Sequence, residues 1–213
     1  MSSIVAIEGN IGVGKSTFID ILHKNFRDSS IVPEPVDKWL NIKGSDDKNI
    51  LQTFYDDVDR WAYTFQNMAY ITRIMTLEET IKEKKSKYIF LDRSIGTDKN
   101  VFERMLFEDG KINVLEHNIY KLWEDFYYKY VKPEFTYKII YLRAEPEVCI
   151  QRIKQRGRPE EKNISIEYLN KLHKYHEEWL IDNKEVIVID CNKDFENNIE
   201  YQKEIIEKIQ KFI

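Results

Sequence analysis

The sequence predicts an α/β protein built on a parallel β-sheet with helices on both faces, and three observations carry that expectation. Short apolar, β-branched runs recur along the 213 residues, at 4–7, 30–32, 88–91, 137–142 and 186–189. They are continuous rather than alternating, which is the pattern of strands covered on both sides. Longer stretches with helical spacing separate them, as expected when crossover helices join parallel strands. A glycine-rich loop follows the first run and opens the first helical stretch, at residues 9–17.

Taken in order, strand 4–7 is followed by a helix over 15–26 and by the second strand at 30–32. Residues 42–49, Ile-Lys-Gly-Ser-Asp-Asp-Lys-Asn, read as a polar loop. A long periodic helix over 58–84 leads to the third strand, and helices over 97–107 and 114–130 lead to the fourth. Helices over 145–156 and 166–183 separate the fourth strand from the fifth, and 200–212 closes the chain. At about 150 residues per domain the length corresponds to about 1.4 domains, which fits one domain over 1–213 with an elaborated edge. No internal repeat interrupts it.

Composition narrows the function classes. With 42% hydrophobic and 33% charged residues the chain buries a core. Lys+Arg is 33 and Asp+Glu is 37, a formal charge of −4, so there is no electrostatic footprint for nucleic acid or an anionic membrane. No apolar run approaches the ~18 residues of a membrane span. The apolar pattern begins at Ile4, which leaves no room for a leader, so a cytoplasmic protein with reduced thiols is expected. Cys149 and Cys191 each sit beside apolar neighbours and read as buried small side chains.

Gly9-Asn10-Ile11-Gly12-Val13-Gly14-Lys15-Ser16-Thr17 matches G-x-x-x-x-G-K-[ST] in its required strand-to-helix context. Glycines let successive backbone N–H groups face one anion, and the helix N-terminus adds positive potential. Lys15 is expected to reach the β- and γ-phosphates of a nucleoside triphosphate, and the Ser16 hydroxyl to hold Mg²⁺. A GTPase switch is not expected. The aspartate of Asn192-Lys193-Asp194 stands one residue early for a guanine reader, and Asp92-Arg93-Ser94-Ile95 lacks the switch glycine.

Charged groups cluster where strands end. Glu34 follows the second strand, well placed to take a proton from an attacking hydroxyl and to repel an acceptor that already carries phosphate. Asp92 ends the third strand, where it can hold Mg²⁺ directly or through water, and Arg93 beside it can balance two carboxylates and a phosphoryl group. Arg152 and Arg156 are i, i+4 on one helix face, and Gly157 lets Arg158 join them as a lid that follows the transferring phosphoryl.

Over nearly its whole length the sequence resembles deoxynucleoside kinases of the deoxycytidine, deoxyguanosine and deoxyadenosine kinase group. The stretches that carry the resemblance are 9–17, Glu-Pro-Val-Asp-Lys-Trp at 34–39, Asn-Ile-Leu-Gln-Thr-Phe-Tyr at 49–55 and Arg-Trp-Ala-Tyr-Thr-Phe-Gln at 60–66. Asp-Arg-Ser at 92–94 and Arg-Ile-Lys-Gln-Arg-Gly-Arg-Pro-Glu-Glu at 152–161 complete them. The resemblance implies a P-loop kinase fold with a five-stranded parallel sheet, an arginine-bearing lid, ATP as phosphoryl donor, Mg²⁺, and a homodimer built from helices. It also implies that the Trp123, Phe126 and Tyr127 stripe lies at the dimer interface.

Carried over to this chain, Glu34 resembles the general base for a 5′-hydroxyl and Arg93 the cation that holds that oxygen. Tyr55 and Glu161 resemble the pair gripping the sugar 3′-hydroxyl. Trp39, Leu51, Phe54, Phe65 and Phe102 resemble the walls around the base, with Gln66 on its edge. Arg152, Arg156 and Arg158 resemble the lid set. Asp194 and Phe195 resemble the loop over the donor adenine, and Tyr168 a residue that influences donor choice. Asp92 departs from the glutamate of many members.

Gln66, Ala69 and Arg73 stand at i, i+3 and i+7 on one helix face, and Asp98 is expected to pair with Arg73. In the resembling family that pair goes with cytosine and purine deoxynucleosides, with thymidine a poor substrate. Thymidylate-kinase-like phosphorylation of a monophosphate is the alternative, which Glu34 opposes by charge. A catalytically idle nucleotide-binding subunit is a third reading, opposed by Lys15, Glu34 and the lid arginines. His173, His176 and Glu177 read as a helix face rather than a metal set.

Overall fold

The computed structural model of the protein describes residues 3–83, 85–131 and 136–213. Five parallel strands, β1 (Ser3–Glu8), β2 (Ser29–Val32), β3 (Tyr88–Asp92), β4 (Thr136–Arg143) and β5 (Val186–Asp190), form one sheet in the order β2-β3-β1-β4-β5. From β1 the chain goes to the edge strand β2, returns to β3 between them, and then crosses to β4 and β5 on the other side of β1, so the carboxyl ends of β1 and β3 bound the crevice where open sheets bind ligands.

Helices cover both faces. Val5, Ile7, Phe90, Ile140 and Leu142 share a buried cluster with Phe18 and Leu22 of α1 (Lys15–Asn25) and with Ile205 and Ile209 of α10 (Ile199–Phe212). Between strands, alternate residues Ile4, Ala6, Ile89, Leu91, Ile139 and Tyr141 point the other way, onto Leu77 of α4 (Val58–Glu83) and Leu180 of α9 (Ile166–Leu180). Double coverage explains why the central runs are continuous rather than alternating. The fifth strand departs from that expectation: β5 lies at the sheet edge, and Val188 is 40% exposed.

Two short helices, α2 (Val36–Asn41) and α3 (Ile50–Asp56), flank the expected polar loop, which a Lys43–Asn49 bridge closes. Asn49 caps α3 through a reciprocal box with Gln52. The helix expected over 97–107 extends instead from Ile95 to Glu108, as α5 (Ile95–Thr97), a wider π turn (Asp98–Glu103) and α6 (Arg104–Glu108). A second π turn, Tyr127–Val131, ends α7 (Val114–Phe126). Tyr127 packs inward against Tyr70 on the same helix side as the buried Tyr120 and Glu124, at i, i+4 and i+7, while Trp123 and Phe126 stay exposed, so Tyr127 leaves the expected surface stripe. Residue 84, the end of the expected α4, lies outside the described residues.

Cys149 and Cys191 are buried as expected, and burial pushes their thiols up to about 11 and about 12. His176 is fully buried on the inner face of α9, with Nδ1 2.7 Å from the Leu172 carbonyl and its ring parallel to Tyr141. Burial pushes it down to about 3, so it is neutral core. Among the described residues no helix is long and apolar enough to cross a membrane.

Gly96 sits where the chain leaves the third strand for the π turn. A Cβ there would lie 2.8 Å from Cζ2 of Trp179 and 3.0 Å from the Ser94 hydroxyl. Gly96→Ala should therefore destabilise the protein by about 1–3 kcal/mol, read as a lower midpoint in urea unfolding, and an unchanged midpoint would show that Trp179 yields freely.

Candidate active site

A cleft of about 660 Å³ opens at the carboxyl ends of β1, β2 and β3. The phosphate loop forms its floor. Ile11, Gly12, Gly14, Lys15, Ser16 and Thr17 face the cleft, while Asn10 and Val13 are buried in the loop's underside. Gly12 has φ 80°, and a Cβ there would meet the Cys149 carbonyl at 2.6 Å, so neither the backbone nor the space admits a side chain. Lys15 Nζ donates to the carbonyls of Gly9 at 3.2 Å and Asn10 at 3.1 Å, folding the ammonium over the loop. Burial, with Arg93 nearby, lowers its pKa to about 8.

The wall above the loop is charged. Glu34 follows β2, and Arg93 follows β3 with φ 63°, a backbone strain held by its N–H to the Ile7 carbonyl. Arg93 Nη1 donates to both Glu34 oxygens, at 2.8 and 2.9 Å, and Arg73 Nη2 adds a bond at 3.2 Å. Burial opposes the Glu34 charge, but Arg93, Arg73 and Lys15 outweigh it and hold the carboxyl down at about 2. Arg73 Nε also donates to Asp98 at 2.9 Å, and Nη1 to the Asp92 carbonyl at 3.1 Å. The expected Arg73–Asp98 pair therefore forms, and Arg73 bridges it to Glu34.

Ser16 Oγ donates to Asp92 Oδ2 at 3.2 Å, while Asp92 Oδ1 is buried without a partner. Burial, with Glu34 nearby, raises the Asp92 carboxyl. Among the described residues no set of three or more His, Cys, Asp or Glu can hold a metal. One spare carboxylate oxygen beside a hydroxyl at the phosphate loop fits Mg²⁺, which keeps waters and leans on substrate phosphates.

Opposite lies an aromatic chamber. Phe54 and Phe65 stack at 4.6 Å, Trp39 meets Phe65 edge-on at 5.4 Å, and Leu51, Tyr55 and Phe102 complete the lining. Gln66 and Ala69 face the same space from α4, and Gln66 Oε1 is buried without a partner. A buried amide oxygen without a donor is costly unless a ligand supplies one. Burial pushes the Tyr55 hydroxyl well above its ordinary range, which keeps it a donor.

At the mouth, α8 (Pro146–Arg156) ends at Gly157 with φ 64°; Arg156 at its end, Arg158 and Glu161 just beyond it, and Tyr168 of α9 line the cleft. Arg152 does not line the cleft; it donates to the Val13 carbonyl at 3.0 Å and braces the phosphate loop. Asp194 and Phe195 also lie outside the lining. Phe195 packs edge-on against Phe18 at 5.5 Å and abuts Gly14, and the Asp194 carboxylate accepts from the Glu196 and Asn197 N–H groups.

Sequence reasoning missed three supports. Glu8, fully buried at the end of β1, accepts from the Ser94 N–H at 2.9 Å, the Ser94 hydroxyl at 2.6 Å and the Thr97 hydroxyl, which fixes the turn bearing Arg93. An acid closing an apolar strand was the available signal. Thr72 accepts the Trp39 indole N–H at 2.9 Å with no sequence signal, and Val36 lines the cleft beside Glu34, where its place in the Glu-Pro-Val-Asp-Lys-Trp stretch was the available signal.

A family model of deoxynucleoside kinases matches residues 5–213. The chain is 37% identical to deoxycytidine kinase 2 of Gallus gallus, over 98% of this chain and 89% of that protein. It is 34% identical to a mitochondrial deoxyguanosine kinase of Xenopus laevis, over 98% and 89%, and 37% identical to a probable deoxycytidine kinase of fowlpox virus, over 98% and 87%. With the family model matching residues 5–213 and relatives 34–37% identical over 98% of its length, the chain belongs to the deoxynucleoside kinase family.

Proposed function

We propose that the protein transfers the γ-phosphoryl of ATP to the 5′-hydroxyl of deoxycytidine, deoxyadenosine or deoxyguanosine. The observation that carries this reading is Glu34, an ionised carboxylate held by two arginines across the cleft from Lys15. A monophosphate acceptor would bring its own negative charge against that carboxylate, so the thymidylate-kinase-like alternative is not favoured.

In this reading the γ-phosphate lies over Lys15 and the loop N–H groups, and the nucleoside enters the aromatic chamber. The Arg93 fork orients Glu34 toward the 5′-hydroxyl, while Arg156 and Arg158 screen the phosphoryl charge from the lid. Arg152 supports them from beneath the loop, and Asp194 with Phe195 borders the donor base. Mg²⁺ at Ser16 and Asp92 would neutralise phosphate charge. A pKa near 2 makes Glu34 a weak base, so the proton leaves late, as a loose phosphoryl transition state allows. Gln66 Oε1 and Asp98 supply acceptors for an exocyclic amino group, whereas thymine offers a carbonyl and a methyl there. Exposed Leu115, Leu122, Trp123 and Phe126 on α7, with Ile71 and Met75 on α4, support a homodimer through those helices.

A coupled ADP-release assay tests the reading. Deoxycytidine or a purine deoxynucleoside should outpace thymidine and every deoxynucleoside monophosphate at equal concentration; a preference for thymidine or for a monophosphate refutes it. Glu34→Gln should lower kcat by on the order of 10² with little change in nucleoside affinity, and activity within about threefold of wild type would remove Glu34 from the mechanism. Arg73→Met with Asp98→Ala should raise thymidine turnover relative to deoxycytidine.

Glu34 also sets an acid-side stability. Its folded pKa, about 2, lies below the ordinary 4.5, so its contribution is present above about pH 4.5 and is lost as pH falls toward 2. The stability advantage of wild type over Glu34→Gln should shrink by on the order of 2–3 kcal/mol across that window in stepped-pH urea melts. Parallel curves would show that the arginines do not hold the charge.

A further inference from the structure

Arg156 Nη2 lies 2.6 Å from both carboxylate oxygens of Glu161, and Arg158 Nη1 lies 3.6 Å from one of them. Glu161 is 13% exposed at its side chain and faces the nucleoside cleft, and the electrostatic influence of its carboxylate reaches Tyr55. The lid cation and the cleft acid therefore satisfy each other. A guanidinium paired with a carboxylate holds a triphosphate less strongly than a free one, because the carboxylate offsets its charge and repels the phosphates. We infer that Glu161 acts as a stand-in anion for the donor phosphates: when the triphosphate takes Arg156, the carboxylate is released to accept the sugar 3′-hydroxyl beside Tyr55.

The inference rests on the kinase reading and adds a coupling between its two substrates. Before the donor arrives, nucleoside binding must compete with the Arg156–Glu161 pair; afterwards it does not. Linkage makes the effect reciprocal, so each substrate tightens the other by the same factor. The geometry also says which nucleosides feel the coupling. Only those with a 3′-hydroxyl do, because only they use the released acid.

Isothermal titration of the full chain with deoxycytidine, with and without a saturating non-hydrolysable ATP analogue and Mg²⁺, tests this. In wild type the analogue should tighten deoxycytidine at least about fivefold. It should leave 2′,3′-dideoxycytidine, which lacks the hydroxyl, within about twofold of its analogue-free affinity. In Arg156→Ala, deoxycytidine alone should bind more tightly than to wild type, and the coupling should fall below about twofold. In Glu161→Gln, binding should be weak and uncoupled in both conditions. Coupling that survives in Arg156→Ala, weakened binding of deoxycytidine to that variant without the analogue, or equal coupling for the dideoxy analogue overturns the exchange. Circular dichroism on each variant identifies any loss of fold. Failure of wild type to bind or phosphorylate any deoxynucleoside overturns the kinase reading itself, a result distinct from intact binding with unaltered coupling.

Discussion

The grip of two buried arginines on one glutamate is the constraint from which the rest of the site follows. Arg73 comes from the middle of α4 and Arg93 from the end of β3, and they meet at Glu34 after β2. Each cation is desolvated, and each needs carboxylates to stay charged at acceptable cost. Asp98 and Glu34 supply them for Arg73, outweighing burial and holding its pKa above the ordinary value. Helix α4, the π turn, and strands β2 and β3 are thereby tied into one frame around the cleft. None of these four elements can move independently without leaving a buried charge unpaired.

That frame resolves two demands that pull against each other. A proton acceptor is strongest when its pKa is high, but a carboxylate facing a triphosphate must not become protonated or repel the donor. In the proposed transfer the arginines settle the conflict in favour of charge, giving up basicity that a loose phosphoryl transition state does not require. Asp92 is treated differently. Burial raises its carboxyl and leaves one oxygen unpaired, the condition expected of a site completed by a hard cation. Two neighbouring acids thus acquire different roles from their surroundings, not from their residue types.

Much of this was legible in the sequence because it is local. Strand-to-loop junctions locate Glu34, Asp92 and Arg93, and the phosphate loop is a contiguous motif. The helical spacing of Gln66, Ala69 and Arg73 carries directly to one face. What was not legible depends on rotation or on distant pairing. Tyr127 joins the side of α7 that Tyr70 of a distant helix covers, away from Trp123 and Phe126, and Arg152 turns from the cleft to the Val13 carbonyl although its spacing matches Arg156. The Thr72 anchor of Trp39 joins residues 33 positions apart, with nothing in either segment to announce it. Val188 is exposed because strand order, which no single run encodes, sets β5 at the edge.

The π turn over Asp98–Glu103 carries one further consequence. Asp98 and Phe102 within it line the same cleft, while the first residue beyond it, Arg104, points outward to Glu108 and Glu178. A turn of this kind amounts to one extra residue in an α-helix, and it shifts everything downstream by about 100°. The floor and one wall of the base chamber are therefore phased by chain length as well as by side-chain identity. Deleting a single residue here would swing Phe102 out of the cleft without altering any pocket residue, so insertions and deletions in this helix offer evolution a route to reshape the cleft that point substitutions do not.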